Sequence, residues 1–147
     1  MRVFLDTNVL ASAAATRGLC ADVLREVLAS HELLISAQIL SELKRVLRTK
    51  FGVAQDLIED FISLIRQDTV LAQPGSLPPI EIGDRDDLPV LSAAISGKAE
   101  VFVTGDKELL DLRETEGLAI ISPRQFWDKL KAQPKRGAGR RKPRRSR

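Results

Sequence analysis

Short apolar runs alternate with segments of helical periodicity along most of this chain. Arg2–Leu5 and Leu33–Ile35 have the length and composition typical of buried parallel strands. Residues 18–30, 37–48 and 54–66 instead place their large apolar side chains three and four residues apart, which predicts amphipathic helices. This order of strands and helices predicts an α/β fold with a parallel sheet and helices on both of its faces.

The second half of the chain continues this alternation after a loop. Residues 73–83 contain three prolines and two glycines, which predicts an irregular connection. The next helix is predicted to begin at Asp86 or Asp87, which puts Pro89 in its first turn, where proline is tolerated. The helix is predicted to end at Gly97. The remaining predicted elements are a strand or extended segment at 70–71, strands at 100–103 and 119–121, a short helix at 107–112, and a last helix that begins at 122–123.

Length and composition exclude several classes of protein. A chain of 147 residues with 44% apolar residues suits one globular domain. No apolar run reaches the length of about 18 residues that a membrane-spanning helix needs, and the first residues lack the layout of a signal peptide. The single cysteine, Cys20, cannot form an internal disulfide, and no Cys/His set predicts a zinc site. We therefore expect a cytoplasmic protein with no membrane association.

The charges are unevenly distributed along the chain. Residues 135–147 hold eight of the 23 basic residues and no acidic one, so the rest of the chain carries 15 basic against 20 acidic residues. The end of the chain also lacks large apolar residues. We expect a folded domain at 1–132 and a basic, disordered tail at 133–147. Mobile cations contact phosphates without reading sequence, although a merely solubilising tail has the same composition. The candidate nucleic-acid-binding residues are Lys135, Arg136, Arg140, Arg141, Lys142, Arg144, Arg145 and Arg147.

Acidic residues follow two of the predicted strands. Asp6 comes directly after the first strand, and Asp106 ends the sequence Thr104-Gly105-Asp106 after the strand at 100–103. Ligands of open parallel sheets bind outside the carboxyl ends of the strands, so both carboxylates are expected at a functional crevice. Each is also in position to act only as the N-cap of the helix that follows.

Further acidic residues lie on or beside the predicted helices. Glu42 belongs to the helix at 37–48, where its spacing from Ile39 and Val46 puts it near the buried stripe, although a solvent-facing charge is the simpler interpretation. The acidic cluster at 84–87 precedes a helix, and interaction with the helix N-terminus is sufficient to explain it. Converging carboxylates repel one another and are costly to desolvate, and a divalent cation removes both costs. The combined pattern therefore indicates a metal-binding acidic pocket.

Four separated motifs resemble those of a known family. MRVFLDTNVL, SELKRVL, DRDDLPVLSAA and VFVTGDKELL occur in the order found in PIN domains, and the similarity covers roughly residues 1–130. The chain looks nearest to the PIN toxins of bacterial toxin–antitoxin systems, of the VapC type. This resemblance implies a three-layer α/β/α fold with a mostly parallel sheet of about five strands, and Mg²⁺- or Mn²⁺-dependent ribonuclease activity.

The resemblance also implies roles for individual residues. The family's acidic residues fall on Asp6, Glu42 and Asp106, and its third acid falls best on Asp87, with Asp86 as the competing register. Asp6, Asp87 and Asp106 are expected to bind the metal directly or through water, and Glu42 to complete the cluster or orient the attacking water. Asn8 and Thr104 are expected to support them by hydrogen bonds, and Glu108 is a possible further acid.

The resemblance implies partners as well, and other functions compete with it. An RNA substrate, an antitoxin that covers the acidic pocket with a basic or hydrophobic segment, and a homodimer formed through the helices at 37–66 are all expected. The main alternative is a PIN-like module that binds RNA or protein without cleaving. A phosphotransferase of the haloacid-dehalogenase type needs a second Asp where Asn8 stands, and a flap-type DNA nuclease needs additional regions for which the chain is too short.

Overall fold

The first strand is apolar on both faces and is covered on both. Val3, Phe4 and Leu5 are all fully buried, which requires packing elements above and below β1 (Arg2–Leu5). In the computed structural model of the protein, which describes residues 1–132, β1 lies inside a six-stranded sheet with helices on both faces. The result is a three-layer α/β/α arrangement.

Strands and helices alternate along most of the chain, although the first two strands are each followed by two consecutive helices. The sheet carries a two-residue edge strand near its end, and a helix directly follows most of the other strands. After β1, the elements are α1 (Thr7–Ala15), α2 (Leu19–Ser30), β2 (Glu32–Ser36), α3 (Ala37–Thr49), α4 (Gln55–Gln67), β3 (Thr69–Ala72), α5 (Asp87–Ser96), β4 (Val101–Val103), α6 (Lys107–Leu112), β5 (Glu114–Thr115), β6 (Leu118–Ile121) and α7 (Pro123–Ala132).

The strand order places a crevice beside β1. Across the sheet the order is β3-β2-β1-β4-β6-β5, and only the pairing of β5 with β6 is antiparallel. The chain builds β2 and β3 outward on one side of β1 and then crosses to build β4 and β6 on the other. Phe4 pairs with Phe102 across the β1–β4 boundary, and their stacked rings lie 5.5 Å apart between centroids. Because the strand order reverses here, the carboxyl ends of β1 and β4 form the expected ligand-binding edge.

Two helices show how the apolar pattern sets the layers. In α3 the buried residues Ile39, Leu43 and Leu47 recur every four residues, so this helix lays one face on the core and leaves the other exposed. In α5 the residues from Val90 to Ala94 are all buried, and the helix packs against β2 and β3. Gly97 follows α5 as its C-cap, and the position requires glycine because a Cβ there would approach Leu34 Cδ2 to 2.6 Å.

The predicted fold class is confirmed, with two local differences. The sheet has a sixth strand, β5, whose two residues are too few to produce a recognisable alternation. The apolar pattern also does not delimit α1, because its sequence TNVLASAAA is alanine-rich and has little contrast between its faces. No helix within residues 1–132 is both long and apolar enough to cross a bilayer. The predicted basic tail lies outside the described residues.

Candidate active site

Asp6 stands at the carboxyl end of β1 and serves two neighbours at once. Its Oδ1 accepts a hydrogen bond of 2.8 Å from the backbone N–H of Thr7, which caps α1. Its Oδ2 accepts a hydrogen bond of 2.7 Å from the hydroxyl of Thr104. Burial raises the pKa of Asp6, the two hydrogen bonds oppose that rise, and repulsion by Glu42 and Asp106 adds to it. Asp6 therefore both caps α1 and interacts electrostatically with two other carboxylates.

Thr104 connects the two strand ends that flank the crevice. The fully buried hydroxyl that donates to Asp6 also accepts a hydrogen bond of 3.0 Å from the backbone N–H of Asp106. Asp106 then caps α6 through Oδ1, which accepts from the backbone N–H of Glu108 at 2.9 Å. Its Oδ2 accepts no hydrogen bond from the described residues and is left for another partner. Thr104 thus fixes the spacing between the two carboxylates that follow β1 and β4.

Glu42 is drawn from the surface of α3 into this group. Its Oε1 accepts a hydrogen bond of 2.8 Å from the hydroxyl of Thr7, and its Oε2 accepts one of 2.9 Å from the side-chain amide of Gln38. The side chain is half-buried, whereas the sequence alone favoured a solvent-facing charge. Thr7 and Gln38 are the supporting residues that the sequence analysis missed. A side-chain amide four residues before Glu42 was the only local signal, and the contact between α1 and α3 was not visible in the sequence.

Asp87 and Asp86 occupy different environments at the start of α5. Asp87 is half-buried, and no hydrogen-bond donor within residues 1–132 reaches its carboxylate. Burial, followed by repulsion from Asp6 and three further carboxylates, raises the pKa of Asp87 to about 7. Asp86 is exposed, and its backbone carbonyl, rather than its side chain, is engaged by Gln38. The structure therefore brings Asp87, and not Asp86, to the side of the other acids.

The loop before α5 is tied to its surroundings. The Glu108 carboxylate accepts a hydrogen bond of 2.6 Å from the backbone N–H of Gly83, and a Cβ at Gly83 would lie 3.0 Å from that same side chain. Ser92 accepts from the backbone N–H of Gly75 at 2.7 Å and donates to the carbonyl of Ser76 at 3.0 Å. Glu108 is thus occupied in holding the loop.

The remaining predicted site residues are Asn8, which lies apart from this group, and the basic residues of the tail, which fall outside the described residues. Asn8 is exposed on the first turn of α1, and its side chain makes no hydrogen bond among the described residues. The eight basic residues of the tail lie outside residues 1–132, so their predicted role stays a prediction.

The donor atoms of the pocket suit a hard cation that keeps part of its water. All four side chains offer oxygen, the ligand that Mg²⁺ prefers, and the pKa of Asp87 is raised by burial first and then by the neighbouring carboxylates. Within residues 1–132, no three Asp, Glu, His or Cys side chains are arranged to hold one metal ion between them. A cation that bridges to some of these carboxylates through water fits this arrangement, and a closed protein cage does not.

Comparison with solved structures supports the fold. The chain is similar to a protein in the structure of VapBC2 from Rickettsia felis bound to a DNA fragment from its promoter, with 16% identity and a TM-score of 0.59 over 83% of this chain and 98% of that one. It is also similar to a protein in the structure of VapBC-1 from nontypeable Haemophilus influenzae, with 20% identity and a TM-score of 0.57 over 84% and 99% of the two chains.

Comparison by sequence identifies the family. No individual curated protein matches the chain. The sequence profile of the PIN domain matches residues 2–108, a segment that runs from β1 to the first turn of α6 and contains all four acids of the pocket. The chain belongs to the PIN-domain family.

Proposed function

We propose that this protein is a Mg²⁺- or Mn²⁺-dependent endoribonuclease, the toxin of a toxin–antitoxin pair. The observation that supports the proposal is that acids from four separate chain segments interact electrostatically with one another around Asp6, at the carboxyl end of β1. Burial, and after it repulsion by neighbouring carboxylates, raises the pKa of Asp87 to about 7. A fold that only needed stability would gain from neutral side chains in these positions, because uncompensated carboxylates oppose one another. A pocket that recruits a cation for catalysis accounts for this cost.

The four carboxylates divide into two roles in the proposed reaction. Asp6, Asp87 and Asp106 would hold the cation, directly or through water. A bound Mg²⁺ or Mn²⁺ supplies a nucleophilic water at neutral pH and neutralises charge on the phosphate. Glu42 is fixed through both of its oxygens by Thr7 and Gln38, and this rigidity suits a group that orients the attacking water.

Hydrogen-bond donors determine which oxygens remain available in the pocket. Thr104 and the backbone N–H of Thr7 orient the Asp6 carboxylate. Asp106 uses one oxygen as a helix cap and keeps the other free, and Asp87 accepts no hydrogen bond from the described residues. Asp87 and Asp106 therefore present the least encumbered oxygens to a cation.

Cleavage of a mixed RNA pool tests the proposal. The full chain with Mn²⁺ should cut RNA, EDTA should stop the reaction, and Asp6→Asn should reduce the rate by at least about 100-fold while circular dichroism shows an intact fold. Asp87→Asn should behave in the same way. Asp86→Asn is the matched control, because it removes the neighbouring carboxylate that lies outside the pocket, and it should cleave at close to the parental rate. Parental activity in the Asp6→Asn or Asp87→Asn protein would refute these roles.

The alternative is a PIN-like module that binds RNA or protein without cleaving. The same assay separates the two functions when RNA binding is followed in parallel by a gel shift. Binding that survives EDTA, without any cleavage in Mn²⁺, would favour the module. The presence of all four acids in one pocket favours the enzyme.

The proposed antitoxin would act by covering the acidic pocket. The uncompensated negative charge around Asp87 favours a partner segment that contributes Arg or Lys side chains. The solved complexes of the similar VapBC proteins support the existence of such a partner. Copurification with the product of the adjacent gene, and loss of RNA cleavage in that complex, is the expected result. A complex that cleaves like the free chain would contradict this inhibitory role.

The proposed homodimer would use the outer face of α3 and α4. Leu57 and Leu64 lie two turns apart on α4 and are 57% and 56% exposed, so they form an apolar stripe that a second copy could cover. The parent should elute as a dimer in size-exclusion chromatography with light scattering, and Leu57→Lys combined with Leu64→Lys should shift it to the monomer. A parent that is monomeric at high micromolar concentration would exclude this dimer.

A further inference from the structure

Gln38 lies between two parts of the pocket that no other described side chain joins. Its Nε2 donates a hydrogen bond of 2.9 Å to Glu42 Oε2 and one of 3.0 Å to the backbone carbonyl of Asp86. An amide nitrogen carries two hydrogens, so each acceptor receives one. Glu42 belongs to α3, whereas Asp86 immediately precedes the first residue of α5, Asp87. One side chain therefore ties α3 to the start of the helix that carries the third acid.

The orientation of this amide follows from its partners. Both partners are oxygens that only accept, so the rotated amide would point its own oxygen at a carboxylate and a carbonyl. Gln38 and Glu42 are four residues apart and share a face of α3, which brings the amide to the carboxylate. The other oxygen of Glu42 is held by Thr7 from α1. Thr7 and Gln38 thus fix the Glu42 carboxylate together. Of the two, Gln38 also contacts the residue before α5.

The contact matters because little else of regular structure holds the chain before α5. The segment at 73–86 that leads to Asp87 has no helix or strand of its own, and Glu42 and Asp87 are both acidic. The other ties of this segment lie further back, at Gly75, Ser76 and Gly83. Among the described residues, the bond from Gln38 is the hydrogen bond from another element that lies nearest to Asp87.

We propose that Gln38 is a positioning residue of the pocket. It holds the Glu42 carboxylate and the Asp86–Asp87 backbone at a fixed separation, so that a divalent cation meets carboxylates that are already arranged. The inference rests on the proposed function, because it assigns Gln38 to the same cation-dependent pocket. Groups that support metal ligands in this way typically change metal affinity or activity by about 10- to 100-fold when they are removed.

Gln38→Met tests the inference, with Gln55→Met as its matched control. Methionine keeps the length and helix propensity of glutamine but has no N–H donor. Gln55 makes the same kind of contact on α4, a hydrogen bond of 3.0 Å to Glu59 four residues later, on an exposed surface. Isothermal titration calorimetry of the full-length proteins with Mn²⁺ alone should show affinity at least about 10-fold weaker for Gln38→Met. Gln55→Met should bind Mn²⁺ like the parent.

The Mn²⁺ dependence of RNA cleavage is a second measurement, and it would not change if Gln38 had a purely structural role. For Gln38→Met, the Mn²⁺ concentration that gives half of the maximal rate should rise and kcat should fall, whereas the KM for RNA should stay within about twofold of the parental value. Urea denaturation should give Gln38→Met a stability only slightly below that of Gln55→Met, since Gln38→Met loses two exposed or partly buried hydrogen bonds and Gln55→Met loses one. If Gln38→Met does not fold, Gln38→Asn takes its place, because the shorter amide cannot reach both partners.

The outcomes distinguish this inference from the proposed function. The positioning role would be overturned if Gln38→Met bound Mn²⁺ and cleaved RNA like the parent while Asp6→Asn had lost both properties. The proposed function would then still stand. A parent that neither binds Mn²⁺ nor cleaves RNA would overturn the proposed function and the inference with it.

Discussion

Replacing Asp87 with asparagine is expected to stabilise the metal-free protein at neutral and alkaline pH. In the folded chain the pKa of Asp87 is raised from 3.8 to about 7, by burial first and then by the neighbouring carboxylates. Between these two values the folded chain holds a proton that the unfolded chain has released. Stability therefore falls as the pH rises from about 4 to about 7, and the penalty is complete above that range.

The size of the effect follows from the pKa shift. At about 1.4 kcal/mol per pH unit, the full shift corresponds to about 4 kcal/mol of unfolding free energy. Asp87 is only half-buried, so solvent screening reduces the expected penalty to about 1–2 kcal/mol at pH 8. Asparagine has the same shape and no charge, and it should remove this penalty. At pH 5 only about a third of the pH interval has been crossed, so the advantage of the variant should be correspondingly smaller.

Urea denaturation in EDTA, followed by circular dichroism at pH 5 and pH 8, measures the effect. The control is Asp60→Asn, an exposed residue of α4 whose carboxylate is not among the charges that raise the pKa of Asp87. It should change stability by less than about 0.5 kcal/mol at either pH. Saturating Mn²⁺ should stabilise the parent more than Asp87→Asn, because the variant has lost a proposed ligand. The reasoning fails if Asp87→Asn is no more stable than the parent at pH 8 in EDTA, or if its advantage is the same at both pH values.

Three further changes test other parts of the pocket and the tail. Thr104→Val removes a buried hydroxyl that donates to Asp6, so it should lower the unfolding free energy by about 2 kcal/mol in urea denaturation and slow RNA cleavage. Thr104→Ser keeps the hydroxyl and should preserve both stability and cleavage. If the valine and serine variants lost the same stability and activity, the role of the hydroxyl would be contradicted. Glu108→Gln should keep cleavage within a few-fold of the parent, because that carboxylate is bonded to Gly83, and a loss as large as that of Asp106→Asn would make it a ligand instead. Deleting residues 135–147 removes eight basic residues, so the slope of log binding constant against log salt concentration should become less steep by up to about 5 to 6. An unchanged slope would exclude phosphate contacts by the tail.

The local pattern of the chain was sufficient for its elements and for the type of fold. Apolar runs such as Val3–Leu5 predicted buried strands, and the four-residue spacing in α3 predicted a helix with one buried face, because both patterns depend on neighbours in sequence. Serine is a favoured N-cap residue, and the hydroxyl of Ser36 directly before α3 accepts a hydrogen bond from the backbone N–H of Ile39. Where a segment lacked contrast, as in the alanine-rich α1, the pattern did not mark a boundary.

The positions of the acids could be predicted only in part. That Asp6 and Asp106 lie at strand ends follows from the chain itself. That these two ends are adjacent follows from the strand order, in which β4 crosses back to lie beside β1. The choice between Asp86 and Asp87 likewise needed the orientation of the first turn of α5, which one residue of register reverses.

What tertiary structure alone decided is which polar groups support the carboxylates. Glu42 is a surface charge by its local sequence, and it turns inward because Thr7 from another helix donates to it. Gln38 reaches Asp86 across 48 residues of chain. Helices and strands are specified by side chains close in sequence, whereas hydrogen bonds and charge repulsion in a pocket depend on distances that exist only after distant segments have packed together.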